Sequence, residues 1–349
     1  MIQRELFPDG SETVTESVTV TQQTVRRTYP QKWASYNRAQ VQEKEQFQQL
    51  LCALCAGIEE PPRATTGRPR IPMNDATFAA VFKVYSTLSG RRFSSDLRDA
   101  QEKGYIENAP HYNSVFRCLE NENLTPILQQ LITRSSLPLR ALETEFAVDS
   151  TGFTSSRFHR WFDVKYGQPR QEHDWVKAHI ACGVRTNIVT AVEIHERNSN
   201  DIPLLPALVD ATAVNFDVLE VSADKQYASE NNFQAIARIG ATAYIPFRSG
   251  TTGRIGGLFA KAFHYFNLYR EDFLAHYHRR SNIESTIMMI KTKFGDHVRS
   301  KTDVAMKNEV LAKILAHNIC CLISAMHELG ISPEFGTCPK TIALASQLA

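Results

Sequence analysis

The chain predicts a mixed α/β domain, a mixed sheet with helices packed on it, preceded by an all-helical region. Three observations predict it. Between residues 31 and 140 the apolar residues recur at helical spacing, as in Trp33, Tyr36, Val41, Phe47, Leu50, Leu51 and Leu54. Between 145 and 250 the character changes to short apolar runs alternating with helical stretches. The most apolar segment, 310–331, is long enough for a helix and is interrupted by Lys313, His317, Asn318, His327 and Glu328. It therefore reads as a buried helix packed on the core rather than a membrane span.

The division predicted is a mobile tail (1–30), a helical region (31–140), an α/β domain (141–300), and a C-terminal helix with its tail (301–349). Residues 1–30 are rich in Thr, Val, Gln and Ser without a steady period, and Val18 and Val20 alternate over too short a run for a strand. A helix over 31–58 stops near Gly57. The stretch 59–72 is a linker, with four prolines and one glycine. Its Arg63, Arg68 and Arg70 make it basic. Such a segment either lies along DNA phosphates or stands in solvent. Phe78, Val81, Phe82, Tyr85 and Leu88 mark the next helix. Ser94 is placed as the N-cap of a helix over 95–103, closed by Gly104. Pro110 sits in the first turn of a helix over 110–120, and Thr125-Pro126 starts another running to about Arg134. Helix, connection, helix is the layout of a DNA-reading pair, and His111, Asn113, Ser114 and Arg117 could face DNA. The connection is longer than usual, and a plain helical bundle explains the pattern equally well.

In the α/β domain, Phe146–Asp149 reads as a short strand ending in a carboxylate. Residues 160–166, 175–184 and 188–194 read as strands, the last two joined by a turn at Arg185–Asn187. Residues 201–213 are helical. A strand over 218–223 again ends in an acid, Asp224. A helix over 229–239 and a strand over 242–246 follow. The glycine-rich 249–257 has neither dinucleotide nor P-loop spacing and reads as a loop.

The stretch from Tyr277 to Lys291 concentrates chemistry. Wound as one helix, Tyr277, Arg280, Glu284 and Lys291 fall within an arc of about 60°. Ile283, Ile287, Ile290 and Phe294 fill the adjacent arc. Arg280 to Glu284 has the less favoured orientation for an i,i+4 pair, so salt pairing does not account for the cluster. Cations beside a carboxylate suit a ligand that carries both metal and phosphate. An ordinary solvated face remains the competing reading.

Composition bounds the rest. The chain has 349 residues, 43% hydrophobic and 22% charged, with net charge +2. This is ordinary globular composition, and it neither requires nor excludes nucleic acid. Seven irregularly spaced cysteines argue against a disulfide framework and for a reducing compartment. Cys52 and Cys55 read as two small buried residues, since no second pair stands at zinc spacing. No apolar leader is present at the N-terminus, so no signal peptide is expected. His173, His179 and His195 lack zinc-site spacing and read as strand or surface residues, with His179 or His195 a minor candidate for assisting the acids.

Two acids after apolar strands and a third on a helix are the donor set that selects Mg²⁺ or Mn²⁺. Three carboxylates converge only if cations stand between them. With these parts the chain resembles bacterial DDE insertion-sequence transposases of the Tyr-Arg-Glu-Lys signature class. The signature (Tyr, two residues, Arg, three, Glu, six, Lys) is met without a gap by Tyr277, Arg280, Glu284 and Lys291. The contexts Ala147–Thr151 and Ser222–Tyr227 resemble the first- and second-acid contexts of that class. Likeness is strong over about 145–300 and weaker over 32–120. The resemblance implies a ribonuclease H-like catalytic core after an all-α DNA-binding region. It implies Asp149, Asp224 and Glu284 as catalytic ligands of two Mg²⁺ or Mn²⁺ ions that cut and join DNA strands. It implies Arg280 and Lys291 on phosphates near the transposon end, with Tyr277 placing that strand. Lys225 stands either at a phosphate or in solvent. Arg68, Arg70 and Arg117 are the remaining DNA-contact candidates. Expected partners are double-stranded DNA, both transposon ends and target, and further copies of the chain in a homodimer or larger synaptic assembly. No membrane partner is expected, and the location is the bacterial cytoplasm at the nucleoid. A ribonuclease H-like nuclease without strand transfer and a catalytically silent DNA-binding descendant are the alternatives. One departure stands out: some members carry a tryptophan for a flipped base between the second acid and the glutamate, whereas the tryptophans here are Trp33, Trp161 and Trp175. Tyr244 or Phe247 could stack a base in its place.

Overall fold

The computed structural model describes residues 32–60, 70–155, 175–196 and 202–335, with two short N-terminal strands. Those strands, β1 (Ile2–Leu6) and β2 (Glu12–Glu16), pair antiparallel from Ile2↔Glu16 to Leu6↔Glu12. They belong to a compact unit of their own, Met1–Trp33. This corrects the expectation of a tail without strands. The Pro8-Asp9-Gly10 sequence between them is turn chemistry that the reading for periodicity passed over. The strand expected over 160–166, with Trp161, lies outside the described residues, as do His173 and Arg68.

From Trp33 to Ser136 the named elements are all helices: α1 (Trp33–Cys55), α2 (Met73–Ser86), α3 (Gly90–Glu102), α4 (Tyr112–Leu119) and α5 (Leu124–Ser136). Two starts differ from expectation. α3 begins at Gly90, not after Ser94, because Phe93, Leu97 and Ala100 are its buried stripe and the helix must include the turn that carries Phe93. Ser94 lies inside it and bonds back to the Gly90 carbonyl at 3.3 Å. α4 begins after His111, whose ring Nδ1 accepts the Asn113 amide at 3.3 Å and supplies the cap. Gly104 ends α3 as expected, at φ +75°. Cys52 and Cys55 are both buried on α1, as expected, and Cys55 is a free cysteine.

The sheet has five strands: β3 (Glu145–Thr154), β4 (Trp175–Gly183), β5 (Val189–Glu196), β6 (Glu220–Ala223) and β7 (Thr242–Tyr244). Their order is β5-β4-β3-β6-β7. β4 runs antiparallel to both β3 and β5, whereas β6 is parallel to β3 and to β7. This mixed sheet is consistent with the ribonuclease H-like core that the resemblance implies. Helices cover both faces. Phe146 and Val148 point into one core with α6 (Leu205–Ala213) and α7 (Glu230–Arg238). Ala147 and Phe153, of the opposite parity, point into the other core. That second core also holds α1–α5 and the long α11 (Asp303–Leu329). The helical region and the sheet thus share one core across the division drawn near residue 140.

Three helices precede α11: α8 (Gly257–Leu268), α9 (Arg270–Tyr277) and α10 (Ser281–Phe294). The first lay in a stretch to which the sequence assigned no element. α11 is long and apolar enough to cross a membrane by composition, yet most of it is buried against the sheet and the N-terminal helices. Its polar residues are the reason. Asn308 donates to the Leu119 and Asn121 carbonyls at 2.8 and 3.1 Å and accepts from Thr125 at 2.7 Å. His317 Nε2 lies 2.9 Å from the Asn187 carbonyl, in the β4–β5 turn, where Asn187 is left-handed. Asn318 accepts the Val189 amide at 2.9 Å and donates to the Val189 carbonyl at 2.7 Å, beside the register shift at Ala181/Cys182. It completes a ladder that the irregular register leaves open.

Asn318→Ala should therefore strand both polar groups of Val189 and destabilise the protein by about 2–3 kcal/mol, from the desolvation penalty of buried unpaired groups, measured by urea unfolding. His317 provides a pH test. Burial, opposed by the Asn187 bond and reinforced by Lys293, lowers its pKa from 6.5 to about 4. Between those values the unfolded chain holds more protons than the folded one, so stability rises with pH and falls on acidification. Unfolding curves from pH 7 down to 4 should show that loss, and His317→Gln should flatten it.

Candidate active site

The register of the parallel pair builds the site. β3 and β6 pair through Val148↔Ala223. The next residues along each strand are Asp149 and Asp224, on chains about 5 Å apart. Val148 and Ala223 both face the α6/α7 core, so alternation turns the two aspartates to the opposite face. Asp149 lies across from Ile180 of β4, which belongs to that opposite core. Asp224 does end its strand and starts a 3₁₀ turn, Lys225–Tyr227. Asp149 does not: β3 runs on to Thr154, held by Thr154↔Trp175 and by the Val298 amide on the Thr154 carbonyl at 2.8 Å. The expectation of two strand-end acids is corrected in that respect. What aligns them is the end of β6, not of β3.

The signature segment is not one continuous helix. A 3₁₀ turn, His278–Arg280, separates α9 from α10. In a 3₁₀ turn side chains three apart eclipse, which brings Arg280 over Tyr277, its guanidinium carbon 5.8 Å from the ring centre. From there Arg280 donates to Asp149 Oδ2 at 2.8 Å and to Glu284 Oε1 at 2.5 Å. The i,i+4 pair that orientation disfavoured therefore forms, because the same guanidinium also reaches the strand. Arg279, which the sequence reading overlooked, pairs with Glu145 and lies 3.8 Å from Glu220. His276 Nδ1 is 2.9 Å from Glu220 and its ring stacks on Tyr244 at 4.6 Å. These contacts dock the turn onto the starts of β3 and β6. Only its adjacency to Arg280 could have pointed to Arg279.

The electrostatics follow from burial and from this bridge. Burial raises the pKa of Asp149, the Ser150 amide and Arg280 oppose the rise, and Asp224 adds to it. Burial alone would lower Arg280, but Tyr277, Asp149 and Glu284 hold it protonated above its ordinary range. Burial raises Tyr277; Arg280 opposes, and Asp224 and Asp149 reinforce the rise. Tyr277, Arg280, Asp149 and Asp224 therefore lie within one another's field. Glu284 joins through Arg280, with its side chain 59% exposed against 16% for Arg280.

By donor chemistry the set fits a hard divalent cation, since two aspartates and a glutamate face one region. Among the described residues no three such ligands already stand at metal-binding separation. The guanidinium of Arg280 occupies the position between Asp149 and Glu284, so a cation held by both requires it to withdraw.

Other candidates fall further out. Lys291 lies two turns along α10, with Nζ 5.5 Å from the Phe153 ring; burial lowers its pKa against an opposing effect of Asp296. Lys225 is exposed beside Asp224. Arg70 is exposed, and on α4 His111, Asn113 and Arg117 are exposed while Ser114 is half-buried. His179 and His195 sit on the face of Ala181 and Ala191, away from Asp149, so neither assists the acids. Tyr244 and Phe247 are buried in the α6/α7 core, and Phe247 stacks on Phe233 at 5.5 Å. They have no free face for a base, which corrects that expectation.

Replacing Arg280 with Ala should leave two carboxylates facing each other and destabilise the protein by about 2 kcal/mol, less than the cost of breaking a fully buried pair. Adding Asp149→Asn should recover part of that loss in a double-mutant cycle read by thermal unfolding. A family model described as the transposase DDE domain matches residues 140–319, which include all three acids. No curated protein and no solved structure matched the chain.

Proposed function

The chain belongs to the DDE-domain transposase family, and from that premise we propose that it is an insertion-sequence transposase of the Tyr-Arg-Glu-Lys signature class. It binds the terminal inverted repeats of its element, cuts strands there and joins them to target DNA at the bacterial nucleoid. The observation that carries this reading is the juxtaposition of Asp149 and Asp224 one step past the last β3–β6 pair, with Glu284 tied to Asp149 through Arg280.

Asp149, Asp224 and Glu284 would hold two Mg²⁺ or Mn²⁺ ions on the ribonuclease H-like core. When bound, such ions activate a water or a 3′-hydroxyl and stabilise the leaving oxygen of an in-line displacement. The chain's own residues do the rest. Arg280, released from the carboxylates, turns its planar fork to a phosphate of the scissile strand. Tyr277, eclipsed beneath it, sets the direction of that turn. Lys291 reaches the same strand further along, and Lys225 grips a phosphate beside the second acid. Arg68, Arg70 and Arg117 extend the contact along the duplex, with 31–140 as the DNA-binding region. A dimer or larger synaptic assembly presents two such sites to paired ends.

The test uses a labelled terminal repeat with Mg²⁺. Glu284→Gln should lose cleavage by more than the roughly 10–100-fold typical of residues that only support a metal ligand, while retaining end binding in a gel-shift assay. Cleavage at the wild-type rate by that variant would sink the catalytic assignment. Joining assays with pre-cut 3′-hydroxyl ends separate a transposase from a nuclease that only cuts.

A further inference from the structure

The strongest feature outside the acid cluster is a cavity of about 480 Å³ between the C-terminal end of α2, the start of α3, and α11. It opens beside Phe294, ten residues along α10 from Glu284 and so about 15 Å from it. Its charged lining is mostly cationic: Lys83, Arg299, Lys301 and Lys313, against Glu120 and Glu309. Most of these charges are already engaged. Lys313 donates to the carbonyls of Gly295 at 3.0 Å and His297 at 2.6 Å. Arg299 donates to the Thr87 carbonyl at 2.7 Å, holding the left-handed residue that closes α2. Glu309 accepts the Arg299 and Ser300 amides at 3.0 and 2.8 Å.

Lys83 differs. It is only 8% exposed, yet among the described residues its ammonium makes no hydrogen bond or ion pair. Burial and the charge of Arg299 lower its pKa against the opposing charge of Glu309. Lys83 lines the cavity, and an anion entering it would add a charge-assisted hydrogen bond to the ammonium. Ser89 and Gly90, at the start of α3, line the same space, and a helix start favours negative charge. The other walls are apolar and aromatic, with Phe116 and Phe294 the large rings. Gly90 lets Phe116 close in, since a Cβ there would meet the ring at 2.7 Å. The volume lies within the range of small-ligand sites.

We propose that this cavity binds a nucleoside monophosphate unit, its phosphate on Lys83 and Lys301 and its base against the exposed ring of Phe116. The unit is either a free nucleotide or one nucleotide of a DNA strand, since both offer the same phosphate and base. The site is separate from the acid cluster and does not depend on the cleavage reading.

Titration calorimetry on the full chain, without divalent metal, tests it. The probes are deoxyadenosine 5′-monophosphate, deoxyadenosine, inorganic phosphate and a 5′-phosphorylated single-stranded hexanucleotide. The monophosphate or the hexanucleotide should bind at least tenfold more tightly than deoxyadenosine or phosphate. Tighter binding of the hexanucleotide points to a strand, and of the mononucleotide to a free ligand. Lys83→Met, which keeps the stem, should lower affinity at least tenfold, and so should Lys301→Gln on the exposed rim, which carries no folding role. Glu284→Gln should bind as the parent chain does. No binding by either phosphate-bearing probe, or unchanged affinity in both lysine variants, overturns the proposal. A chain that cuts its ends but binds no nucleotide loses only this site, and one that binds nucleotide but cuts nothing loses only the transposase reading.

Discussion

The constraint on which the rest of the structure depends is the placement of α11. An apolar helix of 27 residues can rotate or slide against its neighbours at little hydrophobic cost, because burial is not directional. Its polar residues remove that freedom. Asn308 is tied to the α4–α5 connection, Glu309 to the segment after α10, Lys313 to the end of α10, His317 to the β4–β5 turn and Asn318 to α5 and β5. Each bond is modest, about 1 kcal/mol net. Each one left unmade in this dry interior would cost more, so only one rotation and register of α11 satisfies them all. That register positions α10, and α10 carries Glu284.

A second constraint acts within the site. Carboxylates on adjacent strands and a facing helix repel one another, and burial of Asp149 sharpens the cost. The chain answers with Arg280, which joins Asp149 to Glu284. The bridge keeps Asp149 and Glu284 gathered. It also couples the two things the acids are proposed to meet, since a guanidinium displaced by divalent cations is free to bind a phosphate. Arg279, with Glu145 and Glu220, secures the turn from which Arg280 reaches out.

Much of the sheet was legible residue by residue. Strands β4 to β7 lie within a few residues of their predicted spans, because their apolar runs are bounded by turn chemistry such as Arg185–Asn187. Gly104 and Ser229 marked helix ends correctly. The misses have local causes. The start of α3 was misplaced because a serine at 94 looked like a cap, while burial of Phe93 demanded one more turn. α8 was missed because its aromatic residues follow a glycine-rich loop and its N-terminal cap, Gly256, gives no polar signal. The β1–β2 pair was missed because IQREL and ETVTE are short and mostly polar, which leaves little hydrophobic alternation to read.

By itself the sequence determined the acids, the spacing of Tyr277, Arg280, Glu284 and Lys291, and the mixed α/β class, since these follow from residue identity and local periodicity. Only the tertiary structure decided which of those groups meet. Parity and register across β3 and β6 set Asp149 beside Asp224, a relation between strands some seventy residues apart along the chain that no local period encodes. The 3₁₀ turn placed Arg280 on Tyr277 and between two carboxylates, whereas an unbroken helix would have spread these groups along a solvated arc. Lys83 shows the same dependence: in sequence it is a lysine on an apolar helix, and the packing of α11 leaves it at the wall of a cavity.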